Sequence, residues 1–228
     1  IFIVSEPVFQ FIAAPLLHEL KDSNGIVQTT GIWEMMFTYL KISVYGSLMI
    51  TLPFLLWQIW RFVAPGLYRN EQGVVWPFLV ATPVLFWLGC LLVYVVLVPL
   101  SVAFALSITS EVVTAIPKVS EYLGYVLWLM LAFGLSFELP VLLTLLGKAG
   151  FVTAKQLLGF WKYALVGIAI VAAFLTPPDA ISQIVLGVPV LALYFGSIYI
   201  IYLIEVAEGR NSFTEEEFDY SEFEDDED

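Results

Sequence analysis

Charge is scarce in this chain, and so are the residue types that most chemistry needs. Only 13% of its 228 residues are charged, against about a quarter in an ordinary soluble domain. One histidine, His18, lies outside the long apolar runs, which excludes a membrane-embedded bis-histidine haem site and a Ser-His or Cys-His nucleophile there. One cysteine, Cys90, rules out a disulfide within the chain. Metal-ligand clusters, glycine-rich phosphate loops and basic runs for nucleic acid are missing as well. No catalytic residue, metal or cofactor is therefore expected, and the chain does not read as an enzyme. What it has in abundance is apolar sequence: 60% hydrophobic residues and a mean hydropathy of +0.90. Such a composition describes a protein that lives in a bilayer.

The formal charge of −12 is unevenly placed. Residues 213–228, FTEEEFDYSEFEDDED, hold ten acids and no base, leaving eleven acids and nine bases (a balance of −2) for residues 1–212. The acidity thus belongs to a tail, 205–228, too charged and too poor in aliphatics to fold alone and expected to be disordered. The body, 1–204, is expected to be one transmembrane bundle.

A spanning helix needs about 20 mostly apolar residues. Val74 to Thr109 carries no charge, nor does Ile42 to Trp60; Tyr122 to Gly147 is interrupted only by Glu138, and Asp179 alone separates two further apolar runs. These predict spans at about 36–60, 75–104, 121–147, 163–177 and 181–204. The run Tyr163–Pro178 has 16 residues. It reaches only about 24 Å as a helix against a hydrocarbon core of about 30 Å, so the last two helices should form a short hairpin around TPPD. Residues 5–34 read as a long, amphipathic outer loop. The opening IFIV lies mid-way through an apolar run, and the expectation is a six-helix protein whose first helix is mostly missing from this sequence. Arg61, Arg69, Lys148, Lys155, Lys162 and Arg210 on one set of loops outnumber Lys21, Lys41 and Lys118 on the other. The positive-inside rule then puts the C-terminus in the cytoplasm.

Within the spans one group stands out. Glu138, in FGLSFELPVLL, lies about 15 Å from Lys148 along a helix, inside the bilayer, where a charged acid costs about 2.5–3.5 kcal/mol. Pro140 withholds a helical donor from the Ser136 carbonyl, and Gly134 is expected to leave one face open to water or another helix. Intramembrane acids are by default functional. Glu71, in the loop APGLYRNEQG, reads by itself as a solvated charge. Asp179 reads equally as a turn residue. The embedded amides Gln58 and Gln183 more often bond a neighbouring helix than a ligand.

Three motifs, FVAPGLYRNE, AFGLSFELPV and LTPPDAISQ, occur in an order and at a spacing that resemble the TatC family, a subunit of the twin-arginine translocase. The resemblance runs from about Pro15 to Ile204. It implies an all-α polytopic membrane protein, a glove-shaped six-helix bundle in the bacterial cytoplasmic membrane (a thylakoid membrane less so) that needs no cofactor. It further implies a receptor for folded proteins carrying twin-arginine signal peptides, driven by the proton-motive force. Single-span TatA/TatB-type subunits would be its partners, and it would be homo-oligomeric in the complex, without nucleic acid. Carried over by position, Glu71 would contact the arginine pair, and Phe62 and Pro65 would shape its loop. Glu138, with Pro140, would face the hydrated concave side. Pro15 would be the proline of the first outer loop. Thr176, Pro178, Asp179 and Gln183 would lie where partner helices dock. Gln72 and Gly73 follow the loop glutamate where the family usually has basic residues, and the acidic tail is not a family feature. The alternative reading is a proton-coupled transporter of small solutes using Glu138. The sequence carries neither paired acid and base groups at matching depth nor repeat symmetry, which favours the receptor.

Overall fold

The computed structural model describes residues 5–22, 31, 33–67, 72–107, 118–175 and 180–209. Every long element among them is helical: α1 (Ser5–Asp22), α2 (Glu34–Leu67), α3 (Gln72–Leu92), α4 (Val98–Ser107), α5 (Val119–Ser136), α6 (Leu139–Lys148), α7 (Ala154–Gly159), α8 (Trp161–Leu175) and α9 (Ala180–Ala207). A single π-helical turn, Val93–Leu97, joins α3 to α4. Four stretches are long and apolar enough to cross a membrane: Glu34–Phe62, Val80–Ala105, Val119–Lys148 and Gln183–Ala207. α8, at 15 residues, is shorter. The chain is a multi-pass membrane protein.

α5 is the centre of the bundle. Leu123, Val126, Leu127, Leu129 and Phe133 are buried along it, against α2 on one side and α3 on the other. The α3–α5 approach is close because both helices contribute glycine at the crossing. A Cβ on Gly89 would stand 2.8 Å from the Phe133 carbonyl oxygen, and one on Gly134 would stand 2.6 Å from the Phe86 ring. Small residues at such contacts let helix backbones approach where no hydrophobic force separates protein from lipid. The hydroxyls of α2 raise no such demand: Thr38, Ser43 and Ser47 each donate to the carbonyl four residues back, at 2.6–2.8 Å.

Residues 5–22 depart from the expected outer loop by forming α1. Ile12, Ala13 and Leu16, spaced for one helical face, are buried in the bundle, and this burial supplies the tertiary support that the amphipathic pattern alone left open. Pro15 sits inside this helix. Having no N–H, it leaves the Phe11 carbonyl without its helical donor. The Tyr94 hydroxyl donates to that carbonyl at 2.7 Å, and the Tyr94 ring stacks on Phe11 with centroids 4.6 Å apart. The Tyr122 hydroxyl donates to the next carbonyl, Ile12, at 3.2 Å. The proline thus opens an acceptor through which the π-helical turn holds α1, and α5 adds a bond at the neighbouring carbonyl.

Candidate functional site: the intramembrane carboxylate and its surroundings

The sequence 121–147 is not one continuous helix. α5 ends at Ser136, Phe137 and Glu138 form a turn, and α6 begins at Leu139. Pro140 explains the break without strain: it occupies the second position of α6, where backbone N–H groups have no helical acceptor in any case. The turn keeps the polypeptide satisfied, since Glu138 N–H donates to the Leu135 carbonyl at 3.1 Å and the Glu138 carbonyl accepts from Leu142 N–H at 3.0 Å. Thr144, one turn further, returns its hydroxyl to the Pro140 carbonyl. The discontinuity therefore costs little backbone energy and sets Glu138 at the head of a helix, where the dipole favours a negative group.

The Glu138 side chain is only 5% exposed. Neither carboxyl oxygen makes a hydrogen bond among the described residues, and the half-buried Trp60 presents an indole N–H in the same condition. The polar side chains that face the carboxyl are Thr82 on α3 and Trp60 on α2. Thr82 and Phe86 lie on one face of α3, one turn apart, and the Phe86 ring fills the notch at Gly134. Of the two occupants its small size allowed, water or another helix, Gly134 receives the second: the Phe86 ring of α3 takes the space. What remains is an acceptor pair and one donor held together in an apolar shell of Phe86, Phe133 and Phe137, all buried. An unsatisfied buried polar group costs about 1–3 kcal/mol, so a cluster of three in a folded protein calls for a reason beyond packing.

Trp60 and Thr82 were not singled out by the sequence. Trp60 closes a charge-free run and Thr82 sits inside another, and only the crossing of α2 and α3 over α5 brings them to Glu138.

Two residues beyond Trp60, α2 carries Phe62, 85% exposed. Arg61 lies over the Trp57 ring, 5.6 Å from its centroid, a cation–π contact that holds the guanidinium against the helix. Pro65 falls in the last turns of α2, its side chain outside the described residues, and Glu71 lies outside them altogether. Thr176, Pro178, Asp179 and the tail from 210 onward are likewise outside. Gln183 is described: its amide Nε2 donates to the Ala169 carbonyl of α8 at 2.9 Å, so this donor ties α9 to α8.

A family model described as the Sec-independent protein translocase protein (TatC) matches residues 1–189. The TatC protein of Magnetococcus marinus is 42% identical over 195 residues, covering 86% of this chain and 72% of that protein. TatC of Escherichia coli K12 is 34% identical over 204 residues, covering 90% and 78%. The crystal structure of the twin-arginine translocase receptor TatC in DDM superposes with a TM-score of 0.77 at 34% identity, covering 87% of this chain and 88% of that one. The helical architecture, the broken helix with its embedded carboxylate and these matches lead to one assignment: the chain belongs to the TatC family of Sec-independent protein translocase proteins.

Proposed function

We propose that this protein is the receptor and core subunit of a twin-arginine translocase, taking twin-arginine signal peptides at its cytoplasmic face and passing folded cargo with the proton-motive force. The observation that carries the reading is Glu138: a carboxyl buried at a helix break, with both oxygens unpartnered, beside the unpartnered Trp60 N–H. A group so costly to bury suits a site that is completed only when another molecule or water enters. The signal peptide's arginine pair meets Glu71, because a guanidinium fork and a carboxylate form charge-assisted, bidentate hydrogen bonds. Phe62, exposed at the end of α2, and Pro65 shape the approach. The helix carrying Phe62 also carries Trp60, so the approach to the signal loop and the indole that faces the intramembrane carboxyl share one helix.

TatA/TatB-type single-span helices dock at the α8–α9 hairpin, around Thr176, Pro178, Asp179 and Gln183. The lysine and arginine distribution supports a cytoplasmic C-terminus, and the family supports a place in the bacterial inner membrane, where several copies assemble. The transporter alternative is not favoured, since the family is one of protein translocases.

Site-specific crosslinking of a twin-arginine signal peptide to the protein in membranes tests this directly. Glu71→Ala is expected to abolish the crosslink, while Glu138→Ala keeps it and stops export of a folded reporter. An undiminished crosslink in Glu71→Ala removes the arginine-binding role.

A further inference from the structure

α9 carries three buried or half-buried polar side chains that reach across to the consecutive helices α7 and α8. Gln183 Nε2 donates to the Ala169 carbonyl of α8 at 2.9 Å. The Tyr194 hydroxyl donates to the Leu157 carbonyl of α7 at 2.7 Å. Glu205, only 3% exposed, accepts from the Ala154 N–H at 2.9 Å, the first amide of α7. The three positions are eleven residues apart in each step, 183, 194 and 205. At 3.6 residues per turn, eleven residues return to within about 20° of the same face. They form a polar seam along a mostly apolar helix.

The seam matters because of what it holds. α8 packs chiefly on α9 and is nearly all exposed: Ala172 is its one fully buried residue, while Tyr163, Val166, Ile170 and Phe174 face outward. The hydrophobic effect, which fixes helices in water, does little to fix such a helix in lipid, so directed polar contacts decide its placement. α7 anchors its base. Thr153 and Gln156 close a reciprocal capping box at its start, and Ala154 is fully buried against Tyr194, Ile198 and Ile201 of α9. Gly147 of α6 meets Ile201 so closely that a Cβ there would stand 2.7 Å from it, one turn before Glu205, and the buried Lys148 follows directly. The α7–α8 arm is thus clamped at its base, where α6, α7 and α9 converge, and again midway along α8. Between α8 and the α5–α6 span lies a groove of about 480 Å³, lined by Leu139, Leu143, Gly167, Ile168, Val190 and Tyr194 among others. Tyr194 belongs to both the groove and the seam.

We propose that Tyr194 and Glu205, with Gln183 as the third point, are positioning residues that hold the α7–α8 arm on α9 and so set the width of the groove between the arm and α6. The inference deepens the translocase reading, because this groove borders the hairpin where partner helices dock, but the geometry of the seam stands apart from that reading. Glu205 contributes the strongest link, a carboxylate accepting from a helix-terminal amide, and nothing in the helical propensity of α9 calls for an acid there.

The test is a distance measurement in the full chain in lipid nanodiscs. Cys90 is replaced by alanine, and spin labels are placed at the exposed positions Leu142 on α6 and Val166 on α8. Double electron–electron resonance of the parent should give one narrow distribution. Glu205→Ala and Tyr194→Phe should broaden it or shift it by several ångströms. Glu205→Gln should restore it, because its amide oxygen still accepts from Ala154 N–H. Glu208→Ala, at an exposed position, should leave it unchanged. Export of a folded reporter should fall about tenfold in Glu205→Ala, equivalent to ~1.4 kcal/mol, and recover in Glu205→Gln. Distributions for Glu205→Ala and Tyr194→Phe that superpose on the parent overturn the seam. An altered distribution with undiminished export overturns its role in transport. Failure of the parent itself to export refutes the translocase reading while the distances still decide the seam.

Discussion

Replacing Glu138 by methionine should make the protein more stable and useless. The carboxyl is 5% exposed and neither oxygen is hydrogen-bonded. A buried, unsatisfied polar group costs about 1–3 kcal/mol, more if charged, and methionine removes that cost with an unbranched chain that needs no repacking. The expected gain is about 1–3 kcal/mol, or roughly 2–4 °C in Tm for each kcal/mol in a chain of this size. The protein carries its own reporter of unfolding. Cys90 is 1% exposed, donates its thiol to the Met130 carbonyl at 3.3 Å, and sits beside Gly89 at the α3–α5 crossing. A thiol-reactive fluorophore will find it only when those helices part. In a thermal ramp in detergent, Glu138→Met should therefore react at a higher temperature than the parent, while folded-reporter export is lost. A lower or unchanged midpoint would show that the carboxyl is satisfied in the folded state, and the orphaned-group argument would fail. Intact export would show instead that the stored cost serves no transport step. Stability given up at a working site is the usual direction of that trade.

The same thiol reports on the helix crossing. Gly89→Ala puts a Cβ 2.8 Å from the Phe133 carbonyl oxygen, where only backbone movement can relieve it, and should destabilise by about 1–3 kcal/mol. Gly124→Ala, with nothing within 4 Å, should be neutral or stabilising by up to about 1 kcal/mol; equal effects at the two positions would refute the close approach. Replacing Trp60 by 3-benzothienylalanine keeps the bicyclic ring and removes only the unpartnered N–H, so the melting midpoint should hold or rise; a fall would show the N–H to be bonded. Thr153→Ala breaks the capping box, at a cost of about 1 kcal/mol, and should speed hydrogen exchange at the Gln156 amide, which now donates to Thr153 Oγ1 at 3.2 Å. Unchanged exchange there would mean that α7 is held entirely by α9.

Apolar run length is a local property, so the sequence showed where long apolar helices lie, which apolar run is short, and that Glu138 is an acid within one of these stretches. The same local reading mistook residues 5–22 for loop, because an amphipathic pattern with an internal proline becomes a helix only if something receives its face and the carbonyl the proline strands. Tyr94 and Tyr122 do so from more than 80 residues away. At Gly134 the sequence left two occupants open, water or another helix, and only the packing of α3 reveals that it is a helix, through Phe86.

The eleven-residue spacing of Gln183, Tyr194 and Glu205 was visible in the sequence from the start, yet spacing alone does not name a partner. Composition and run length by themselves determined that this is a polytopic membrane protein with an embedded carboxylate and a separate acidic tail, since transfer into lipid depends on each segment's own side chains. Tertiary structure alone decided that the carboxylate is orphaned beside Trp60, that Pro15 works through Tyr94, and that α9 holds the α7–α8 arm by three directed bonds. Those are properties of pairs of helices, and in a bilayer, where apolar faces meet lipid as readily as protein, only close packing and hydrogen bonds choose which pairs form.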